Sequence, residues 1–241
     1  MPKASVQNIA LVLAGGSGER FGSPTPKQFL PMCGMPLMCH CLTSLQESPL
    51  IDEIYIVGKK GTLEQTEKLI HDYHLTKAKA VIEGGDTRKK SAYRGLCYLR
   101  RLKLDPDAIV LICDADRPNL PQSMIEENIL AAREYGAAVT AINATDSIFY
   151  SRSGALVNEY MPRRMVYQAQ TPQTFRFGII YKAHRKAAMS PKYDLYTDDA
   201  SLVSAIMHVH VAIVAGSKEN IKINTPQEEA IFASIRRNAH E

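Results

Sequence analysis

No apolar run in these 241 residues approaches the length of a membrane span, and the first residues carry no apolar stretch of a secretory signal. A soluble chain with no membrane partner is expected. Nor is any basic block long enough to argue for nucleic acid: Arg88–Lys89–Lys90 and Arg236–Arg237 read as solvated helix faces. The formal charge of +4 and the pI near 8.7 suit an anionic small molecule instead. A disulfide framework is missing too. Cys33, Cys39, Cys41, Cys97 and Cys113 are odd in number and lack a signal segment, which points to a reducing cytoplasm. Cys39–His40–Cys41 has the wrong spacing for a zinc knuckle, and His208 and His210 alternate as the approach to a strand. There are no repeats, no low-complexity segments and no tryptophan, while 45% hydrophobic residues suffice for a buried core. One α/β domain spanning 1–241 is expected.

Short β-branched runs alternate with helical patterns, which predicts a mainly parallel, Rossmann-like sheet with helices on both faces. Strands are expected at Asn8–Leu13, Glu53–Val57, Ala78–Ile82, Ala108–Cys113, Ala137–Asn143 and Val209–Ala215, with helices near Pro36–Gln46, Thr62–Tyr73, Thr87–Leu102 and Ser123–Tyr135. Ser123–Met124–Ile125–Glu126 reads as a capping box, and Thr225 followed by Pro226 as the start of a C-terminal helix. Between Ala144 and Thr171 the rhythm breaks. Asp146–Tyr150 and Ala155–Val157 read as strands around the polar turn Ser151–Gly154, and a polar strand within Arg163–Gln173 ends at a proline. A protruding β-arm at about 144–170 needs something to pack on, and a second copy of the chain, giving a homodimer, is the simplest candidate.

The chemistry-bearing residues fall just after strands, where open α/β sheets bind ligands. Leu11–Arg20 runs from an apolar strand into a glycine-rich loop whose N–H groups can converge on phosphate oxygens, with Arg20 and Lys27 adding positive charge. No Gly-Lys-Ser/Thr closes the loop, which excludes a P-loop. Phe21 stands where a dinucleotide fingerprint needs its third glycine. Gly84–Gly85 follows the third strand: either a plain turn, or bare backbone against which a base or ribose lies, with Ser91 one turn further on to hydrogen-bond it. Asp114 ends the fourth strand, as a Mg²⁺ ligand bridging to phosphate or as a cap of its loop. Asp116 either pairs with Arg117 or faces a second substrate. Lys222 lies after the last strand and joins the cations of this edge, where they would stabilise a transferring phosphoryl group.

The chain resembles the CTP-dependent cytidylyltransferases of sugar-alcohol phosphates, the family acting on 2-C-methyl-D-erythritol 4-phosphate and ribitol 5-phosphate. The resemblance runs from Leu13 to the C-terminal helix and rests on Ala14–Arg20, Pro26–Leu30, Gly84–Arg88, Asp114–Pro118, Gln170–Gln173, Thr197–Ser201 and Asn220–Lys222. It implies that Ala14, Gly15, Gly16 and Gly18 wrap the CTP phosphates and that Gly85, Asp86, Arg88 and Ser91 read the cytidine. It assigns Arg20, Lys27 and Lys222 to the pentavalent α-phosphorus and Asp114 to Mg²⁺. Arg163 and Thr171 are expected to reach from the arm across the dimer to the acceptor phosphate.

Three residues depart from the family pattern. Cys113 stands in place of a histidine, Asp116 in place of a small apolar residue, and Phe149 in place of a lysine. Asp116 and Arg117 sit in the loop nearest the acceptor, so the substituted loop leans toward a hydroxyl-rich polyol phosphate. A catalytically silent CTP-binding regulatory protein is the alternative, and the intact Arg20, Lys27, Asp114 and Lys222 argue against it.

Overall fold

The computed structural model describes residues 6–16, 21–23, 25–190 and 193–238. In chain order these form β1 (Asn8–Ala14), β2 (Pro31–Met32), β3 (Met35–Pro36), α1 (Leu37–Glu47), β4 (Glu53–Gly58), α2 (Leu63–Asp72), β5 (Ala78–Glu83), α3 (Arg88–Arg101) and β6 (Ile109–Asp114). Then come α4 (Gln122–Tyr135), β7 (Ala137–Asn143), β8 (Ile148–Tyr150), β9 (Glu159–Met161), β10 (Tyr167–Arg176), α5 (Phe177–Ala187), α6 (Asp199–Met207), β11 (Ala212–Ala215) and α7 (Pro226–Asn238).

The main sheet has the order β11-β7-β10-β6-β1-β4-β5. Its strands run parallel except β10, which is antiparallel to both β6 and β7. The strand β1 shows why its sequence reads as an unbroken apolar run: both of its faces are covered. Ile9, Leu11 and Leu13 pack with α3, α5 and α6 on one side, and Ala10, Val12 and Ala14 with α1 and α4 on the other. From β1 the chain steps outward to β4 and β5, then returns to place β6 on the opposite side of β1. That reversal opens a crevice at the carboxyl ends of β1 and β6, where such sheets bind ligands.

The expected core strands are all present, but the segment 144–176 is organised differently. β8 pairs with β9 rather than with Ala155–Val157, which lies in the connecting loop. The polar strand does not stop at Pro172. β10 continues to Arg176 across a register shift between Ala169 and Gln173, and a proline is tolerated at such an irregularity because no ladder hydrogen bond is required of it there. The arm therefore ends before Tyr167.

Other boundaries move for local reasons. Pro121 precedes α4, which begins at Gln122 without a side-chain cap, so the expected capping box at Ser123 does not form. A capping box does form at Asp198, whose carboxylate accepts from Ser201 N while the Ser201 hydroxyl serves the Asp198 backbone. His208 ends α6 in the left-handed conformation at φ 53°, which delays β11 to Ala212. At α7, Glu228 accepts from Asn224 N, Thr225 N and the Thr225 hydroxyl, fixing the turn that brings the preceding lysine to the site.

Candidate active site

A cleft of about 520 Å³ opens at the carboxyl ends of β1, β4, β5 and β6, a size typical of small-molecule sites. It is lined by Gly15 and Gly16 from β1's loop, Gly84–Arg88 and Ser91 at the start of α3, and Asp114, Asp116 and Lys222. Sequence reasoning passed over Lys59, Lys60, Glu83 and Arg94, which also line it. Lys59 and Lys60 directly follow β4, so the strand-end rule that found the other residues applies to them as well. Gly18 and Arg20 lie outside the described residues.

The loop after β5 is held by its own neighbours. Gly84 N donates to Gly58 O at 2.8 Å, Gly85 N donates to Ser91 Oγ at 3.1 Å, and Arg94 donates to Gly84 O at 2.6 Å. Glycine is required here for packing: a Cβ on Gly85 would lie 2.4 Å from Lys90 Cβ, and one on Gly84 would lie 2.8 Å from Ser91 Oγ. Ser91 thus shapes the loop. Its hydroxyl, expected to hydrogen-bond a base or ribose, faces Gly85 at the cleft wall.

Below the cleft runs a line of alternating charges. Arg88 donates from Nε to Asp114 at 3.1 Å and from Nη1 to Asp199 at 2.6 Å. His184, fully buried, bridges Asp199 at 3.0 Å and the Tyr193 hydroxyl at 2.9 Å. On the cleft side Lys222 pairs with Asp114 at 2.8 Å. Burial alone would raise the Asp114 carboxyl, but Arg88, Lys222 and Arg117 outweigh it and hold it down at about 2. Burial likewise opposes the Asp199 charge, and Arg88 and His184 hold that carboxyl well below the usual range. Arg88 was expected to read the cytidine. In the structure it lines the cleft, with its guanidinium shared between two buried carboxylates.

Asp116 pairs neither with Arg117 nor with open solvent. Its carboxylate meets Lys27 at 2.6 Å and approaches Lys222 at 3.6 Å. Arg117 instead donates to Asn220 O at 2.6 Å and, with Thr171 and Cys113, lines a small void under the cleft. Thr171 is buried, and its hydroxyl accepts from Asp114 N at 3.1 Å within the same chain. Thr171, expected to reach across a dimer to the acceptor phosphate, belongs to β10 in the main sheet. Arg163 stays at the surface, donating to Thr145 O and lining, with Arg164 and Tyr167, a separate groove of about 490 Å³. The Gln170–Gln173 and Asp198–Ser201 motifs bind each other and the Lys222 segment: Gln173 bridges Asp198 and Ala200 N, and Asn220 bonds Gln170 and Thr171.

Among the described residues no cluster of three or more His, Cys, Asp or Glu forms a metal centre of its own. Cys39, His40 and Cys41 are buried, and the His40 ring bonds Met32 O. Asp114 supplies hard carboxylate oxygens on the cleft wall, the donor type that suits Mg²⁺ shared with substrate phosphates, and these oxygens pair here with Arg88 and Lys222.

A doubly wound α/β domain with glycine loops, lysines and a strand-end aspartate around one cleft defines a Rossmann-like nucleotidyltransferase fold. Comparison with known proteins narrows this further. The chain belongs to the family described as IspD, 2-C-methyl-D-erythritol 4-phosphate cytidylyltransferase, which matches residues 8–237. A 2-C-methyl-D-erythritol 4-phosphate cytidylyltransferase of Syntrophus aciditrophicus is 38% identical, covering 91% of this chain and 92% of its own. A ribitol-5-phosphate cytidylyltransferase of Streptococcus agalactiae is 32% identical, covering 95% of each. The crystal structure of 4-diphosphocytidyl-2C-methyl-D-erythritol synthase from Anaerococcus prevotii superposes with a TM-score of 0.82 at 28% identity, covering 98% of this chain and 100% of that one.

Proposed function

We propose that this chain transfers the cytidylyl group of CTP to the phosphate of a polyol phosphate of the ribitol 5-phosphate or 2-C-methyl-D-erythritol 4-phosphate type, releasing pyrophosphate. Family membership supports this, as does the convergence of the β1 loop, the Gly84–Gly85 loop, Lys222 and Asp114 on one cleft, with Lys27 buried behind its wall and paired with Asp116. Backbone N–H groups of Gly15 and Gly16 face the triphosphate, and the Gly85–Asp86 turn takes the cytidine. An acceptor phosphate oxygen attacks the α-phosphorus, a new P–O bond forms, and the bond to the pyrophosphate oxygen breaks. A phosphate monoester is largely a dianion at neutral pH, with its second pKa near about 6, so no general base is needed. Lys27 and Lys222 offset the charge that grows on the α-phosphoryl oxygens, and catalysis is positioning plus electrostatics. Asp114 would hold Mg²⁺, which would supply further positive charge to the phosphates.

The reading is tested by incubating the protein with CTP, Mg²⁺ and a panel of polyol phosphates while following pyrophosphate. Release is expected only when CTP and an acceptor are both present. Release from neither acceptor type, or equally with every nucleoside triphosphate, would contradict it.

The assembly belongs to the same proposal. Phe149, Tyr150, Leu156, Tyr160, Met161 and Met165 leave large apolar surfaces exposed on the arm, and an isolated two-stranded hairpin is marginal in water. A homodimer through this arm would cover them and bring Arg163 of one copy toward the acceptor end of the other's cleft. The double variant Phe149→Asp/Tyr160→Asp is expected to run as a monomer in light scattering and to lose acceptor kcat/KM while retaining CTP. A fully active monomeric wild type would remove both the dimer and the role of Arg163.

A further inference from the structure

The Lys27 ammonium has three protons, and all are in use: it donates to Ile223 O at 2.6 Å, to Asn224 Oδ1 at 2.7 Å and to the Asp116 carboxylate at 2.6 Å. No donor remains for a phosphate unless one contact is given up. Two of the three are fixed by further bonds. Ile223 N donates to Asp116 O at 2.8 Å, anchoring that main chain, and Asn224 N is held by Glu228 at 2.6 Å. The Asp116 side chain is the exchangeable partner. Its other oxygen, Oδ1, is buried without a hydrogen bond and 3.6 Å from Lys222, so the carboxylate is only half satisfied where it sits. The backbone around it cannot shift easily, because Asp114 N, Ala115 N and Asp116 O are all bonded to neighbouring segments. Exchange is therefore a side-chain rotation into the cleft that Asp116 lines.

We propose that Asp116 is a built-in stand-in for phosphate: it occupies Lys27 and Lys222 in the ligand-free site, is displaced when a substrate polyanion binds, and returns as pyrophosphate leaves. This rests on reading the cleft as the site of a nucleotide's phosphates. Carboxylate and phosphate compete for the same two cations, so the wild type holds anions less tightly than its lysines alone would, and product release is assisted. Lys27 is also kept in position when the site is empty, where an unpaired buried ammonium would be costly.

The test is calorimetric titration of inorganic pyrophosphate, without divalent metal, into wild type, Asp116→Asn and Asp107→Asn. Asp116→Asn keeps the shape of the side chain and removes its charge. It is expected to bind pyrophosphate roughly ten-fold tighter than wild type, about 1.4 kcal/mol. Asp107→Asn removes the same charge from an exposed side chain ahead of β6, outside the cleft, and is expected to change affinity less than about two-fold, since exposed charges are screened. A merely structural role for Asp116 would weaken binding, so the sign of the change separates the two. Unchanged or weaker pyrophosphate binding in Asp116→Asn, or an equal gain in Asp107→Asn, overturns the proposal. Wild-type turnover with CTP decides the functional reading separately: an active enzyme with an unresponsive Asp116→Asn overturns the exchange alone.

Discussion

Lys27→Ala is expected to lower kcat by roughly 10²–10³-fold while weakening CTP binding no more than about ten-fold, the pattern of a charge that acts mainly in the transition state. Lys27 is buried, so its charge acts in a medium of low dielectric rather than through water. Its contacts to Ile223 and Asn224 tie the turn Lys27–Phe29 to the segment carrying Lys222. The variant loses that tie and leaves Asp116 facing Lys222 alone. Single-turnover rates and CTP titration should be compared at a temperature where the melting curve shows the variant folded. Near-normal turnover would place Lys27 in a structural role only.

Asp199→Ala is expected to be the most destabilising single change near the site, by roughly 3–5 kcal/mol, the usual effect of removing one partner of a buried ion pair. It strands the Arg88 guanidinium and the fully buried His184 together, with no acid between them. For a chain of this length each kcal/mol lowers Tm by about 2–4 °C, so a fall of roughly 6–20 °C should be seen. The pH dependence follows from the same contacts. Asp114 and Asp199 are both held below the unfolded value near about 4, so their contribution is full above that pH; the Asp114 part is lost as pH falls toward about 2 and the Asp199 part at still lower pH. The acid limb of the wild-type stability curve should therefore be steep, and Asp199→Ala should flatten it. A Tm within a few degrees of wild type, with an unchanged acid limb, would mean that the charge line does not couple these residues.

Much of this architecture is legible in the sequence for one physical reason: a strand covered on both faces must be apolar throughout, as Ile9–Leu13 are, and its end must then turn through glycine or a polar residue. Strand ends marked in this way locate Gly15, Gly84 and Asp114 from the order of residues alone. β10 is less legible because Pro172 reads as a stop, and only its position at an irregularity lets the strand pass. Helices α5 and α6 go unread in part because both carry polar residues turned inward: His184 and Asp199 look like surface positions but form the buried end of the charge line. Side-chain direction is the other gap. Spacing places Asp116 and Thr171 near Asp114, but not that Asp116 swings to Lys27 while Thr171 turns beneath the loop. Those choices depend on the segment 220–224, which is distant in sequence and brought in by Asn220.

The most direct measurement of the central claim follows the configuration at phosphorus. CTP made chiral at its α-phosphorus with sulfur should be turned over with an acceptor polyol phosphate, and the product compared with standards of known hand. A single displacement by the acceptor phosphate, with no covalent enzyme intermediate, predicts a CDP-polyol analogue of inverted configuration. Retained configuration, or no CDP-polyol product from any acceptor, would contradict the account.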